Sequence, residues 1–223
     1  MLGLGLSIWR ATPGIGGGAE TFSTWNSADK GTAVVLSNSD LDAASSAAAP
    51  WAQTGVRGTR GRSSGKYYFE LVVVTMGATG GATDIYGVAK STWPLATNFL
   101  GSAADSLGNR GSTESFQTGT GIAVVGGAGF GATEVVGTVL MYALDIDAGK
   151  LWHGRNGTWR NSGNPGAGTG HSFTISAGTW YPAASIYDAT TSKIRLRTKT
   201  ADFSHSVPDR KSTRLNSSHT VVS

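Results

Sequence analysis

Apolar side chains alternate along residues 66–75, KYYFELVVVT, and this pattern predicts a β-strand. The odd-numbered residues from 67 to 73 fall on one face of the strand, and the even-numbered residues from 68 to 74 fall on the other. Both faces are largely apolar. The strand is therefore predicted to lie centrally, between the two layers of a sandwich or under a covering loop.

The clearest succession of strands and turns covers residues 135–159. An apolar strand over residues 135–146 is followed by the turn DAG, with glycine where a positive φ is needed, and by a strand over residues 150–155. The pair Asn156-Gly157 then favours a type I′ turn, from which the strand TW leaves. Two tight turns in succession predict an antiparallel meander rather than a βαβ crossover.

The rest of the chain contains shorter predicted strands. They are AVVLS, DIYGVAK, HSFTIS, WYPAASIY and KIRLRTK, together with a polar, arginine-bearing strand before GKYYFE. Turns are predicted in WNSADKG and SNSD, and loops over residues 43–49 and 162–170. Residues 91–118 form a long irregular stretch, and such loops on rigid β scaffolds often carry recognition. No helix pattern is found.

Composition also favours an all-β domain. Of 223 residues, 33 are glycine and 14% are charged, which suits short strands and tight turns better than long helices. Seven Trp, six Tyr and seven Phe supply the buried area that a disordered glycine-rich chain lacks. The length fits one sandwich over residues 21–208 after a flexible, glycine-rich leader over residues 1–20. The absence of cysteine excludes disulfides and thiol chemistry.

Residues 209–223 differ from the rest of the chain. They hold +2 of the formal net charge of +4, so the remainder is nearly neutral. The run DRKSTRLNSSH has neither strand alternation nor an apolar helical face. It resembles the in-frame translation of a common sequencing adapter, which predicts a non-native tail and a natural protein that continues differently after Pro208. A genuine basic tail is the alternative.

Taken together, these segments resemble the SPRY family, in particular its phage and prophage members. GKYYFELVV at residues 65–73 is similar to the family's Gly-Lys-aromatic-Tyr-Phe-Glu strand. Residues 135–159 resemble its apolar strand, Asp-x-Gly turn and Asn-Gly hairpin. IYGVAK resembles a further strand, and TWYPAASIY and FSHSVP resemble the closing strands. The resemblance covers residues 24–208 in the right order, with Thr138 and His153 as local departures.

The resemblance implies a bent, concanavalin-like sandwich of two antiparallel sheets. Its edge loops would bind a partner, usually a protein segment, without catalytic residues. The expected function is a non-enzymatic binding module of a phage or prophage structural protein, located in the virion or in the host cytoplasm during assembly. A virion assembly or decoration domain without a host ligand is one alternative, and a carbohydrate-active enzyme is another.

The sequence gives little support for catalysis or metal binding. Asp145, Asp147 and Gly149 have the spacing that begins a calcium loop, but Asn156 stands where the EF-hand pattern has glutamate. The alternative is that Asp147 shapes the turn while Asp145 bonds nearby amides. No spacing selects an acid and base pair from the acidic residues that were considered, Glu70, Asp84, Glu114, Glu134, Asp145 and Asp147. HExxH, G-x-S-x-G and Walker A patterns are missing, so no cofactor and no metal are expected.

Candidate ligand-binding residues come from the long irregular stretch and from the hairpin end. Tryptophan, tyrosine and arginine dominate binding hot spots. Exposed Trp93, Phe99, Arg110 and Trp159 are therefore predicted to contact a protein or a glycan. For each of them, plugging a sheet edge is the alternative.

Neither nucleic acid nor a membrane is expected as a partner. Arg57, Arg60 and Arg62 have no interleaved aromatic residues, so they are interpreted as a solvated strand face. No apolar run approaches the roughly 20 residues that span a bilayer. The N-terminus lacks the basic region of a secretory signal.

Overall fold

The computed structural model describes residues 22–46, 53–77, 84–110, 116–118, 121–123, 134–187 and 192–208. Within these ranges the chain forms fifteen strands. In chain order they are β1 (Trp25–Lys30), β2 (Val34–Ser37), β3 (Asp42–Ser45), β4 (Gly55–Gly58), β5 (Lys66–Thr75), β6 (Ile85–Lys90), β7 (Ser106–Arg110), β8 (Phe116–Thr118), β9 (Gly121–Ala123), β10 (Val139–Asp145), β11 (Lys150–Arg155), β12 (Thr158–Trp159), β13 (Phe173–Thr174), β14 (Trp180–Ser185) and β15 (Lys193–Arg197).

The strands pair antiparallel in two sheets. The seven-stranded sheet has the order β1-β4-β14-β6-β7-β8-β9. The eight-stranded sheet has the order β12-β11-β10-β5-β15-β3-β2, with β13 paired to β11. Buried side chains of both sheets share one core, which confirms the predicted two-sheet sandwich. None of the helical turns in the described ranges has the length or the apolar character needed to cross a membrane.

Large apolar and aromatic side chains fill the space between the sheets. The Phe69 ring of β5 stacks on the Tyr142 ring of β10, with the ring centroids 4.9 Å apart. The Tyr142 hydroxyl donates a 2.9 Å hydrogen bond to the carbonyl of Tyr86, in the opposite sheet. Because a buried hydroxyl without a partner is costly, this bond lets a tyrosine lie in the centre of the core.

Strand β5 has the predicted bounds and the predicted two-sided burial. Its odd-numbered residues from 67 to 73 face the core, and Tyr68 and Val72 on its other face belong to a second apolar cluster. That outer cluster is covered by residues 203–208, in which Phe203 lies 4.8 Å from Tyr68, centroid to centroid, and Val207 packs nearby. The prediction of a central strand under a covering segment is confirmed. The prediction that FSHSVP is a closing strand is wrong, because the segment lies across the sheet face instead of pairing at an edge.

A buried carboxylate attaches this covering segment to the sheet. Glu70 has no exposed surface. It accepts hydrogen bonds from the backbone N–H groups of Ser204, at 2.8 Å, and His205, at 2.9 Å, and from the Tyr68 hydroxyl at 2.8 Å. Arg197 Nη1 lies 3.6 Å from Glu70 Oε2 and compensates its charge. Burial, and next the Glu70 charge, raise the pKa of Tyr68, so its hydroxyl stays a donor.

The outer face of the seven-stranded sheet is covered as well. Residues 91–105 fold back over it and bury Trp93, Leu95 and Leu100 against β6 and β14. Arg57 of β4 fixes this covering loop. Its Nε and Nη2 donate to Asp29 at 2.7 and 2.8 Å, and its Nη1 donates to the Trp93 carbonyl at 2.6 Å.

Part of the stretch predicted to be irregular is strand. Within residues 91–118 the structure contains β7 and β8, so the prediction of one long loop is wrong. Residues 106–110 form a strand because β7 packs closely against β6. A Cβ on Gly87 would clash with the Leu107 carbonyl, and a Cβ on Gly108 would clash with Ile85. Glycine in these strands permits close approach rather than a turn.

Three other boundaries differ from the predictions. WNSADK forms β1 rather than a turn, because it pairs with β4. Part of residues 43–49 belongs to β3, which pairs with β2 and β15. Strand β10 begins at Val139 rather than at position 135, because Gly137 has a φ of 88° and Thr138 Oγ1 accepts a bond from the Val135 N–H.

The Asn-Gly hairpin is confirmed. Asn156 and Gly157 have φ values of 47° and 86°, and a type I′ turn requires positive values at both positions. Asn156 Oδ1 also accepts a 2.8 Å bond from the Val139 N–H, which attaches the turn to β10. The predicted leader over residues 1–20 and the predicted tail over residues 209–223 lie outside the described residues.

His153 gives the fold a dependence on pH. It is 1% exposed, and its ring lies 5.0 Å from the Tyr142 ring. Burial, and next the Arg160 charge, lower the pKa of His153 well below its ordinary value of 6.5. The unfolded chain therefore binds a proton that the folded chain does not, once the pH falls below about 6.5.

We expect the free energy of unfolding to decrease as the pH falls below 6.5, with a slope that approaches about 1.4 kcal/mol per pH unit from this residue. His153→Phe should remove that part of the slope. Urea unfolding of both proteins between pH 7 and pH 5 measures the difference. Equal slopes would show that His153 takes up a proton in the folded state.

Candidate functional site

A cleft opens between the two sheets at one end of the sandwich. It lies where β4, β10 and β15 end and where β5 and β14 begin. Its volume is about 500 Å³ when the solvent-open mouth is included. The cleft is lined by Ser23, Arg60, Arg62, Tyr67, Tyr68, Phe69, Val88, Leu144, Ile146, Trp180, Tyr181, Pro182 and Thr198.

The cleft combines an apolar floor with a polar rim. Phe69, Val88 and Leu144 are buried core residues, so the floor continues the interior of the sandwich. Arg60 is exposed and Tyr181 is half-buried. The two regions together give a concave surface with a small number of polar groups, which is typical of a ligand site.

Two rim arginines have no acidic partner in the described part of the chain. Neither Arg60 nor Arg62 forms an ion pair there. The Arg62 guanidinium lies 5.4 Å from the centre of the Tyr67 ring. Its backbone pairs with Trp180 through bonds of 2.9 and 2.8 Å, which holds the residue beside the cleft. An aromatic ring attracts a cation that lies over its face, and this attraction holds the Arg62 guanidinium at the rim.

Two rim tyrosines have unused hydroxyls. Within the described residues the hydroxyls of Tyr67 and Tyr181 form no hydrogen bond to the protein. The Tyr181 ring packs tightly on Gly61, where any larger residue would displace it. Guanidinium groups are donors without acceptor capacity, and phenol groups readily donate. The rim therefore suits a ligand rich in hydrogen-bond acceptors.

Trp93 is placed differently from the prediction. It is 1% exposed and lies under Arg57, whose guanidinium carbon is 5.7 Å from the ring centroid. The prediction that it is an exposed anchor is wrong, because residues 91–105 turn inward onto the apolar outer face of the sheet. The Trp93 ring covers part of that apolar face, as the alternative interpretation predicted.

The four predicted site residues do not lie together. Phe99 is half-buried beside Trp93 on the outer face of the seven-stranded sheet, and Arg110 ends β7 in that sheet. Trp159 lies on the outer face of the other sheet, 6.2 Å from the Tyr68 ring. Residues on opposite outer faces of a sandwich do not form one site. Binding by Phe99, Arg110 or Trp159 individually stays a prediction.

The residues of the cleft were not selected by the sequence prediction. Arg60 and Arg62 were interpreted as a solvated strand face because no aromatic residue lies between them. The fold supplies those aromatics from β5 and β14, as Tyr67, Trp180 and Tyr181. The available signal was two arginines at a spacing of two just before the GKYYFE strand. By contrast Arg57 is buried and structural.

The acidic residues considered for metal binding have structural partners. Asp145 forms a 2.7 Å ion pair with Lys66 and accepts a bond from the Ala148 N–H. Asp147 accepts a 3.0 Å bond from the Gly65 N–H. The Asp-x-Asp-x-Gly spacing therefore shapes a turn and attaches it to β5, as the turn interpretation predicted.

The acidic residues considered for catalysis are likewise bonded to the scaffold. Asp84 accepts bonds from the Tyr86 hydroxyl at 3.0 Å and the Tyr187 N–H at 2.9 Å. Glu134 is buried and accepts a 3.0 Å bond from the Asn109 amide. Glu70 binds the covering segment, and Glu114 lies outside the described residues. Among the described residues, none of those that line the cleft is acidic.

Comparison with known proteins identifies the fold. No protein-family model matches this sequence, and no curated protein matches it either. Among solved structures, the SPRY domain of human HERC1 superposes with a TM-score of 0.57 at 16% identity, over 74% of this chain and 92% of that one. The TRIM65 PSpry domain gives 0.55 at 14% identity, over 78% and 90%. Stonustoxin gives 0.50 at 19% identity, over 78% of this chain and 26% of that one. This chain therefore has a SPRY-like fold.

Proposed function

We propose that this chain is a non-enzymatic protein-interaction module that binds a segment of a partner protein in the cleft between its sheets. The observation that supports the proposal is the coexistence of an apolar floor with two rim arginines that form no ion pair with the described residues, Arg60 and Arg62, and with the hydroxyls of Tyr67 and Tyr181, which donate to no described residue. Arginine and tyrosine are enriched in protein interfaces and dominate their binding hot spots. The SPRY-like fold agrees with this proposal.

A glycan fits this cleft less well than a peptide. Sugars stack on open aromatic faces. Trp180 is 3% exposed, and the Lys90 ammonium lies 5.2 Å from the centre of its ring. The Tyr67 ring already has Arg62 beside it. An extended peptide can instead insert an apolar side chain toward the floor while its polar groups meet the rim.

A phage or prophage structural protein is the setting that we propose for this module, on the sequence resemblance alone. A decoration or assembly domain is the alternative within that setting. The genes beside this one distinguish the two, because tail-fibre neighbours favour recognition and capsid neighbours favour decoration.

Selecting peptides that bind the full chain from a random library tests whether the cleft is the binding site. We expect the selected peptides to bind Tyr181→Ala and Arg62→Ala at least about tenfold more weakly, the effect of losing one charge-assisted hydrogen bond. Lys193→Ala removes one positive charge at the opposite end of β15 and should change nothing. Unfolding midpoints establish that the variants are folded. Peptides that bind all four proteins equally would contradict a cleft site.

A further inference from the structure

We infer that the segment bound in the cleft is acidic, with aspartate or glutamate side chains on either side of an apolar residue. This inference rests on the proposed function, since it names the chemistry of the partner at that site. It is carried by the balance of charge around the rim and by the position of the Arg62 guanidinium.

The charges at the cleft are mainly positive. Arg60 and Arg62 line it, and Lys199 follows the lining residue Thr198, with its ammonium 3.7 Å from the centre of the Phe22 ring. The neighbouring Asp145 is neutralised by Lys66 at 2.7 Å. Asp147 and Asp202, which closely follow Ile146 and Lys199 along the chain, have no cationic partner within the described ranges, so three cations stand against two carboxylates. The excess of positive charge at this end attracts an anionic segment.

The two arginines suit carboxylates in particular. A guanidinium presents a planar fork of donors that matches the two oxygens of a carboxylate. Arg62 is positioned by Tyr67 and by its backbone bridge to Trp180, so less side-chain entropy is lost when it binds. The hydroxyls of Tyr67 and Tyr181 add two uncharged donors to the same rim.

Because the floor of the cleft is apolar, acidic residues alone are not sufficient for tight binding of a peptide. Phe69, Val88 and Leu144 form an apolar surface beneath the charged rim. An apolar side chain placed there is removed from water, while carboxylates before and after it reach Arg60 and Arg62. Burial of one leucine-sized side chain should tighten binding by about tenfold or more, which is enough to select for its presence.

Fluorescence anisotropy with three synthetic peptides on the full chain tests the inference. Each peptide alternates leucine with one polar residue, glutamate in the first, glutamine in the second and phosphoserine in the third. We expect the glutamate peptide to bind at least about tenfold more tightly than the glutamine peptide, and to weaken as ionic strength rises. Arg62→Gln and Arg60→Gln should each reduce that preference, whereas Lys193→Gln should preserve it.

Equal or undetectable binding of the glutamate and glutamine peptides would overturn the acidic assignment. So would tight binding of the phosphoserine peptide alone, which would assign the rim to phosphate. The proposed function is judged separately by the library selection. Peptides without acidic residues that still depend on Tyr181 and Arg62 would leave the cleft as the binding site and reject its acidic preference.

Discussion

Glu70→Ala is expected to lower the free energy of unfolding by about 3 to 5 kcal/mol, the usual effect of removing one partner from a buried ionic network. The carboxylate is fully buried and accepts from the backbone of Ser204 and His205 and from Tyr68. Without it, these donors lose their acceptor and Arg197 loses its counter-charge. Urea unfolding measures the loss.

The same variant should release the covering segment before the sandwich unfolds. We expect the amides of Ser204 and His205 to exchange with deuterium faster, while amides of β10 stay protected. Lys193→Ala, at the opposite end of β15, is the control, and it should change neither the stability nor this exchange by a measurable amount. Arg197→Ala should resemble Glu70→Ala in part, because it leaves the buried carboxylate without its cation and removes the 2.6 Å bond from Arg197 Nη1 to Ser204 Oγ. Exchange at Ser204 and His205 that is no faster in Glu70→Ala than in Lys193→Ala would show that Glu70 does not hold the segment.

Arg57→Ala is expected to lower the free energy of unfolding by about 3 kcal/mol, because a buried donor to a carboxylate and to two backbone carbonyls is removed. Its side chain is 8% exposed and bridges Asp29 to the carbonyl of Trp93. Asp29 can be rehydrated, since it is 34% exposed. The Trp93 carbonyl and ring lie against the sheet. Most of the lost stability should therefore come from weaker attachment of the covering loop over residues 91–105.

Arg57→Lys separates charge from geometry. Lysine keeps the positive charge, but its single ammonium cannot reproduce the planar fork that reaches Asp29 and Trp93 together. We expect it to recover less than half of the lost stability in urea unfolding. A lysine variant as stable as the native chain would show that charge alone fixes the loop.

The strands with a clear apolar pattern could be predicted from the sequence. β5 and β11 have their predicted bounds, and the Asn156-Gly157 hairpin has the expected positive φ values. Because β5 is apolar on both faces, the sequence indicated that one face packs in the core and that another segment covers the other face. These features depend on local periodicity and turn chemistry, which the sequence records directly.

The strands poor in apolar residues could not be predicted in this way. β7, SLGNR, has the composition of a turn and becomes a strand because β6 pairs with it. β1, WNSADK, pairs with β4 for the same reason. Tertiary pairing overrides local propensity in such edge and glycine-rich strands. Their position depends on partners far along the chain.

The candidate site was beyond sequence prediction for a related reason. Trp93 looked like a loop anchor, since nothing local indicates that residues 91–105 fold back on the sheet. Arg60 and Arg62 looked like a solvated face, because their aromatic neighbours Tyr67 and Tyr181 come from other strands. The chemistry of the cleft appears once the ends of β4, β5 and β14 lie side by side.

Mapping of amide chemical shifts on the isotope-labelled chain during titration with the alternating glutamate–leucine peptide tests the central claim most directly. The account predicts that the largest shifts fall on Arg60, Arg62, Tyr67 and Tyr181 around the cleft. The largest shifts at Phe99 and in the covering loop over residues 91–105 would contradict it, because they would place the ligand on the outer face of the seven-stranded sheet.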